Sequence, residues 1–235
     1  MKKIKLFCIP YAACPGMNYS KWQQYLHQSI EVYPVELPGR GNRFGLPLLQ
    51  SMQDTVNDIY NQIKDHLDEE PYAIFGYCMG SYIGYELAHK IINFNHNPPI
   101  HMFFCAKEAP HIKRKYDILL HKLPDEYFKA AIAITGGAPK EILEDEEMFN
   151  MFLPILRADY KITENYKYCE KPNKLMCDIT TLYAKDDIYT INEINAWKIH
   201  TSGKFSMHEF VGGHLFINSE PEGIINIINN SIGEN

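Results

Sequence analysis

Nine residues constrain the fold more than any other stretch: Ala73-Ile74-Phe75-Gly76-Tyr77-Cys78-Met79-Gly80-Ser81. A β-rich apolar run enters this stretch and a helical pattern leaves it, so the chain must pass from strand to helix within Gly-x-Cys-x-Gly. So sharp a turn strains the backbone of its middle residue and leaves room only for small neighbours. Gly76 and Gly80 meet that need, and Gly84 lets the following helix approach the sheet. The residue put on display is Cys78. A helix N-terminus behind it favours the thiolate, and the Met79 N–H faces the place where an oxyanion would develop. The same five residues also suit a buried structural cysteine at a tight turn. Ser81 is a second candidate nucleophile, but it lies one turn into the helix and points elsewhere.

Around this turn, short β-rich runs alternate with longer helical segments, the pattern of a parallel α/β sheet. Strands are expected at 5–9, 32–37, 72–75, 101–106, 178–184 and 205–211, and helices at 49–66 and 79–92. Met52, Val56, Ile59, Tyr60, Ile63 and Leu67 recur at helical spacing and form one apolar stripe. Between 111 and 171 no strong strand pattern occurs. Leu123-Pro124-Asp125-Glu126 suits a helix start, Gly136-Gly137 a break, and 146–168 further helix. A strand–elbow–helix of this kind predicts an α/β-hydrolase fold: a mostly parallel central sheet flanked by helices, with 111–171 as a mobile helical lid insertion. The 235 residues suit one domain spanning 1–235.

The net charge of −6 argues against a phosphate-neutralising nucleic-acid binder. The basic run Lys113-Arg114-Lys115 reads as a solvated face. No window approaches the ~20 apolar residues of a membrane-spanning helix. The opening run before Pro10 is too short for a signal peptide and reads as the first strand. None of the six cysteines forms a C-x-x-C pair, so metal-ligand spacing is absent and no metal or cofactor is expected. Reduced thiols in a cytoplasmic, monomeric protein are the simplest expectation.

Nucleophile, acid and histidine follow one another in that order along chains with this elbow. The loop after 178–184 offers Asp186 and Asp187. Asp187 is preferred because it falls third after Ala184, where related hydrolases carry Gly-x-x-Asp. Gly212-Gly213-His214 follows the last strand, and the two glycines let the loop carry His214 toward Cys78. His208 competes from within an alternating strand, where half exposure explains it. A second oxyanion donor is needed from the loop Pro10-Tyr11-Ala12-Ala13-Cys14-Pro15-Gly16. Ala12 is the preferred donor and Ala13 the alternative.

Several stretches together resemble type II thioesterases of non-ribosomal peptide and polyketide synthesis. They are Ile9-Pro10-Tyr11-Ala12, Leu37-Pro38-Gly39-Arg40-Gly41-Asn42-Arg43, the elbow, Leu123-Pro124-Asp125-Glu126-Tyr127-Phe128, Gly136-Gly137-Ala138-Pro139, Leu153-Pro154-Ile155-Leu156-Arg157-Ala158-Asp159-Tyr160, Asp187 and Gly212-Gly213-His214. The resemblance covers nearly the whole chain. Its P-G-R-G and L-R-A-D-Y stretches are more specific than the elbow. Two stretches depart from the pattern: Tyr77-Cys78 stands where the family has His-Ser, and Ala12-Ala13-Cys14 where it has Ala-Gly-Gly. The resemblance implies hydrolysis of acyl thioesters carried on the phosphopantetheine arm of acyl or peptidyl carrier domains, with Cys78, His214 and Asp187 as triad and Ala12 and Met79 as oxyanion donors. Three other readings stay open: an acyltransferase to an amine or thiol, a hydrolase like dienelactone hydrolase, whose elbow nucleophile is cysteine, and a non-catalytic carrier-binding module.

Overall fold

The computed structural model describes residues 3–115 and 117–233. Six strands form one sheet: β1 (Ile4–Ile9), β2 (Ile30–Pro34), β3 (Tyr72–Tyr77), β4 (His101–Cys105), β5 (Asp178–Ala184) and β6 (Phe205–Phe210). Their spatial order is β2-β1-β3-β4-β5-β6, and every neighbouring pair is parallel. β3 and β4 are buried at every residue, as expected of strands covered on both faces.

The pleat sorts side chains into two cores. On one face Phe7, Ile9, Ile74, Met102, Phe104 and Ile179 pack against α1 (Met52–Ile63) and α2 (Met79–Asn93). On the other, Leu6, Cys8, Phe75, Phe103 and Leu182 meet the 3-10 run Gly16–Gln24 and α7 (Pro221–Ile232). Ser51 caps α1 by accepting a hydrogen bond from the Asp54 N–H. A parallel sheet wrapped on both faces, with the elbow at its centre, is the α/β-hydrolase fold.

Between β4 and β5 the chain inserts α3 (Asp125–Thr135), α4 (Lys140–Glu144) and α5 (Glu146–Asn165). Gly136, at φ +64, ends α3 in the left-handed conformation that glycine adopts without steric penalty. α6 (Ile191–Asn195) follows β5 and starts with a capping box between Thr190 and Glu193. The basic run lies at the surface, with Arg114 3.5 Å from Glu164 and Lys115 3.1 Å from Glu193.

The second strand corrects the expected range 32–37. It runs from Ile30 to Pro34: the Val35 N–H makes the last bond to β1, to the Cys8 carbonyl at 3.0 Å, and the chain then leaves the sheet edge so that Glu36 can hold the loop after β1. Val35 and Leu37 are buried in the loop beyond it, so an apolar run there looked like strand. β3 extends two residues past the expected end, carrying Gly76 and Tyr77 up to the elbow.

Candidate active site

Cys78 sits between β3 and α2 at φ +53 and ψ −116, a strained conformation for a residue with a Cβ. The glycines beside it are dictated by space. A Cβ on Gly76 would lie 2.3 Å from the Gly80 carbonyl oxygen, and one on Gly80 would lie 2.4 Å from that of Ile9. The Cys78 N–H donates to the Cys105 carbonyl at 2.8 Å, which holds the turn against β4. Ser81 is fully buried, and its hydroxyl lies 2.9 Å from the Gly76 carbonyl and 3.1 Å from both the Cys105 carbonyl and its N–H. It is committed to backbone and does not face the site.

His214 and Asp187 come together as the chain order requires. His214 Nδ1 lies 3.0 and 3.1 Å from the two carboxylate oxygens of Asp187. Both side chains are almost fully buried. On its other side the imidazole is within hydrogen-bonding reach of the Cys78 thiol. Gly212, at φ +108, supplies the backbone conformation that turns the loop back toward the elbow. Tyr77 fastens this loop: its hydroxyl donates to the His214 carbonyl at 2.6 Å and accepts from the Ile217 N–H at 3.3 Å. Asp186 is exposed, and its N–H donates to the Gly212 carbonyl. His208 is exposed on the edge strand β6.

Burial by itself pushes the Cys78 thiol pKa up. The His214 charge and hydrogen bond, the Lys107 ammonium and the Met79 N–H together outweigh it, and the net direction is down. For His214, burial pulls downward, but the Cys78 thiolate and the Asp187 carboxylate raise it well above an ordinary histidine. Each member of the pair favours the charged form of the other, so both interactions act in the direction of a thiolate–imidazolium ion pair.

Lys107 and its surroundings escaped the sequence reading. Its ammonium lies 2.7 Å from the Tyr189 hydroxyl and 2.9 Å from Glu108, over the rings of Tyr82 and Tyr189. A Lys-Glu pair after a strand reads as solvated surface, yet both residues are buried here. The only available signal was their place directly after β4, the strand beside the elbow.

The ion pair has a measurable consequence. A free cysteine with a pKa of about 8.5 gains roughly fiftyfold in thiolate between about pH 6.5 and 8.5. Alkylation of Cys78 by iodoacetamide, mapped by mass spectrometry, is expected to rise less steeply than that over the interval, because the lowered thiol pKa moves thiolate formation to lower pH. In His214→Ala, which removes the main charge lowering the thiol pKa, the steep rise should return. A steep rise in the parent protein would contradict the ion pair.

The loop after β1 turns tightly, with the Cys14 N–H donating to the Tyr11 carbonyl at 3.1 Å. The Ala13 N–H is taken by Asp159 at 2.7 Å. The Ala12 N–H has no acceptor among the described residues. Met79 is the first residue of α2, where N–H groups have no intrahelical partner. The inserted helices reach the same place: a Cβ on Gly136 would lie 3.3 Å from that of His214, and one on Gly137 would lie 2.1 Å from the hydroxyl of the half-buried Tyr160 of α5. A cleft of about 350 Å³ opens beside His214, lined also by Gly136, Pro139, Gly213 and Ser219.

The sequence matches the Thioesterase domain family over residues 4–232. It is 36% identical over 234 residues to a protein of Brevibacillus parabrevis named linear gramicidin dehydrogenase LgrE, covering 98% of this chain and 88% of that one. The β3–α2 turn spaces its glycines at 76, 80 and 84, which is not the G-x-G-x-x-G of a dinucleotide site. Among solved structures, ClbQ from the colibactin NRPS/PKS pathway superposes with a TM-score of 0.93 at 32% identity, covering 99% of this chain and 98% of ClbQ. The type II thioesterase BorB from the borrelidin biosynthetic cluster superposes with a TM-score of 0.86 at 29% identity, covering 97% and 92%. With the family matched along nearly its whole length, this chain belongs to the thioesterase family and is a hydrolase acting on thioesters.

Proposed function

We propose that the protein is a type II thioesterase that clears stalled or wrong acyl and aminoacyl groups from carrier domains of a non-ribosomal peptide or polyketide synthetase. The observation that carries this reading is the line Cys78–His214–Asp187 beside an open cleft, with the Ala12 N–H unclaimed among the described residues and the Met79 N–H, at the start of α2, directed to Cys78. The relatives named for such pathways support the substrate class.

In this mechanism the Cys78 thiolate attacks the thioester carbonyl carbon, and its electrons move onto the oxygen. The Ala12 and Met79 N–H groups donate to that oxyanion. As the tetrahedral adduct collapses, the bond to the carrier sulfur breaks, and the His214 imidazolium protonates the departing phosphopantetheine thiol. The acyl group then sits on Cys78 as a new thioester, so this step is nearly isoenergetic. Water enters, His214 takes one of its protons, and attack on the acyl-enzyme releases the free acid and regenerates the thiolate–imidazolium pair. Asp187 holds the Nδ1 proton throughout. The protein itself needs no cofactor, since the phosphopantetheine arm belongs to the partner. Residues 111–171 serve as a lid over the acyl group.

Acyl-carrier protein incubated with the enzyme should yield free acid and free carrier thiol in equal amounts, with a transient mass increase of one acyl group on Cys78. Acyl transfer to an added amine or thiol in preference to water would establish the acyltransferase reading. Binding without turnover would establish a carrier-binding module.

A further inference from the structure

The loop after β1 is gripped by two buried acidic side chains from elsewhere in the chain. Glu36 accepts from the Gly16 N–H at 2.8 Å and the Met17 N–H at 3.3 Å. Asp159, on α5, accepts from the Ala13 N–H at 2.7 Å. The same Asp159 carboxylate takes a bidentate pair from Arg40 at 2.7 and 2.9 Å, and both side chains are more than nine-tenths buried. A buried ion pair is a poor source of stability, because desolvating two charges offsets most of their attraction. This one is also imperfect, since the buried Arg40 Nε has no partner among the described residues. Its geometry suits another task. Ala13 stands at φ +59 as the third residue of the Tyr11–Cys14 turn, a position that normally calls for glycine. The hydrogen bond to Asp159 holds Ala13 in that conformation. It also occupies the Ala13 N–H and leaves its neighbour, the Ala12 N–H, free.

We propose that the Arg40–Asp159 pair is a positioning device for the oxyanion loop: through the Ala13 N–H it fixes the turn that presents the Ala12 N–H to the thioester oxygen. The proposal rests on Cys78 being the nucleophile. It explains why the Arg40 and Asp159 stretches, far apart in sequence, meet at this site. It also ties the oxyanion loop to α5, so an inserted helix helps to build the hole it covers.

The test separates oxyanion stabilisation from nucleophile reactivity. Alkylation of Cys78 by iodoacetamide needs the thiolate but no oxyanion hole, whereas hydrolysis needs both. Asp159→Asn removes the charge. Because it strands Arg40 in the interior and is at risk of not folding, the double variant Arg40→Met/Asp159→Leu is the second arm, since apolar replacement of a buried pair is commonly tolerated. In whichever variant folds, kcat for an acyl-carrier substrate should fall about 10²-fold, the effect of losing or misplacing one oxyanion donor. Cys78 alkylation should stay within about threefold of the parent. A kcat loss smaller than about tenfold would overturn the proposal. So would alkylation falling in step with kcat, or failure of both variants to fold, which would make the pair a folding requirement. Parental hydrolysis in a Cys78→Ala control would instead remove the nucleophile assignment on which the proposal stands.

Discussion

Cys78→Ala is expected to lower thioester hydrolysis by about 10⁶-fold, the scale on which nucleophile loss acts in triad hydrolases. Neither His214 nor Asp187 can replace the lost step, since both are placed to handle a proton. Ser81 cannot substitute, because its hydroxyl is held by the Gly76 and Cys105 backbone and is fully buried. The fold should survive. The Cys78 contribution to the turn is its N–H bond to the Cys105 carbonyl, which alanine keeps. Alanine also meets the strained φ of +53 with the same Cβ. A melting temperature within a few degrees of the parent corresponds to less than about 1 kcal/mol, and alongside it kcat should be at background. A folded variant retaining a tenth of the parental rate would move the nucleophile elsewhere.

What was legible in the sequence was what depends on short-range rules. The elbow announces itself because two glycines at fixed offsets are the only residues that fit beneath it, and the Cβ distances at Gly76 and Gly80 give the physical reason. The end of α3 was legible for the same reason, through Gly136. Long-range partnerships were not. The stretches around Arg40 and Asp159 stood out as family-like, but nothing local says that their side chains meet or that the Ala13 N–H is their third partner. Lys107 and Glu108 carry no local sign of burial, because charge normally means solvent. Their burial follows from the tyrosines of α2 and of the loop after β5, a contact no periodicity records. Tyr77 was noted as a departure from the family pattern. Its role as the peg of the His214 loop emerges only when the last loop folds back onto β3. The C-terminal helix escaped notice, although Pro221 at its first turn and isoleucines at 224, 225, 228 and 232 were available signals.

Asp187→Asn should slow hydrolysis by between about 10³- and 10⁴-fold, near the loss known for the acid of serine triads. Asp186→Asn should change it less than about threefold. The two carboxylates are adjacent in sequence and opposite in circumstance. Asp187 is buried with both oxygens near 3 Å from His214 Nδ1, while Asp186 is exposed and holds the loop through its backbone N–H. Asparagine at 187 has two orientations, and each is harmful. With its carbonyl toward Nδ1 the ring keeps its tautomer, but the charge that helps to raise the His214 pKa is gone. With its amide group toward Nδ1 the ring must place its proton on the other nitrogen, and that nitrogen then cannot take one from water or from the thiol. The sign of the accompanying pH effect follows. Losing the Asp187 charge lowers the His214 pKa toward the ordinary histidine range, so the imidazolium is lost at lower pH, and the thiolate it stabilises becomes harder to form. The alkaline limb of kcat/KM should therefore move to lower pH in Asp187→Asn and stay in place in Asp186→Asn. Steady-state rates on one acyl-carrier substrate across the pH range decide the matter. A larger loss in the Asp186 variant, or an unmoved alkaline limb in the Asp187 variant, would take the acid's role away from Asp187.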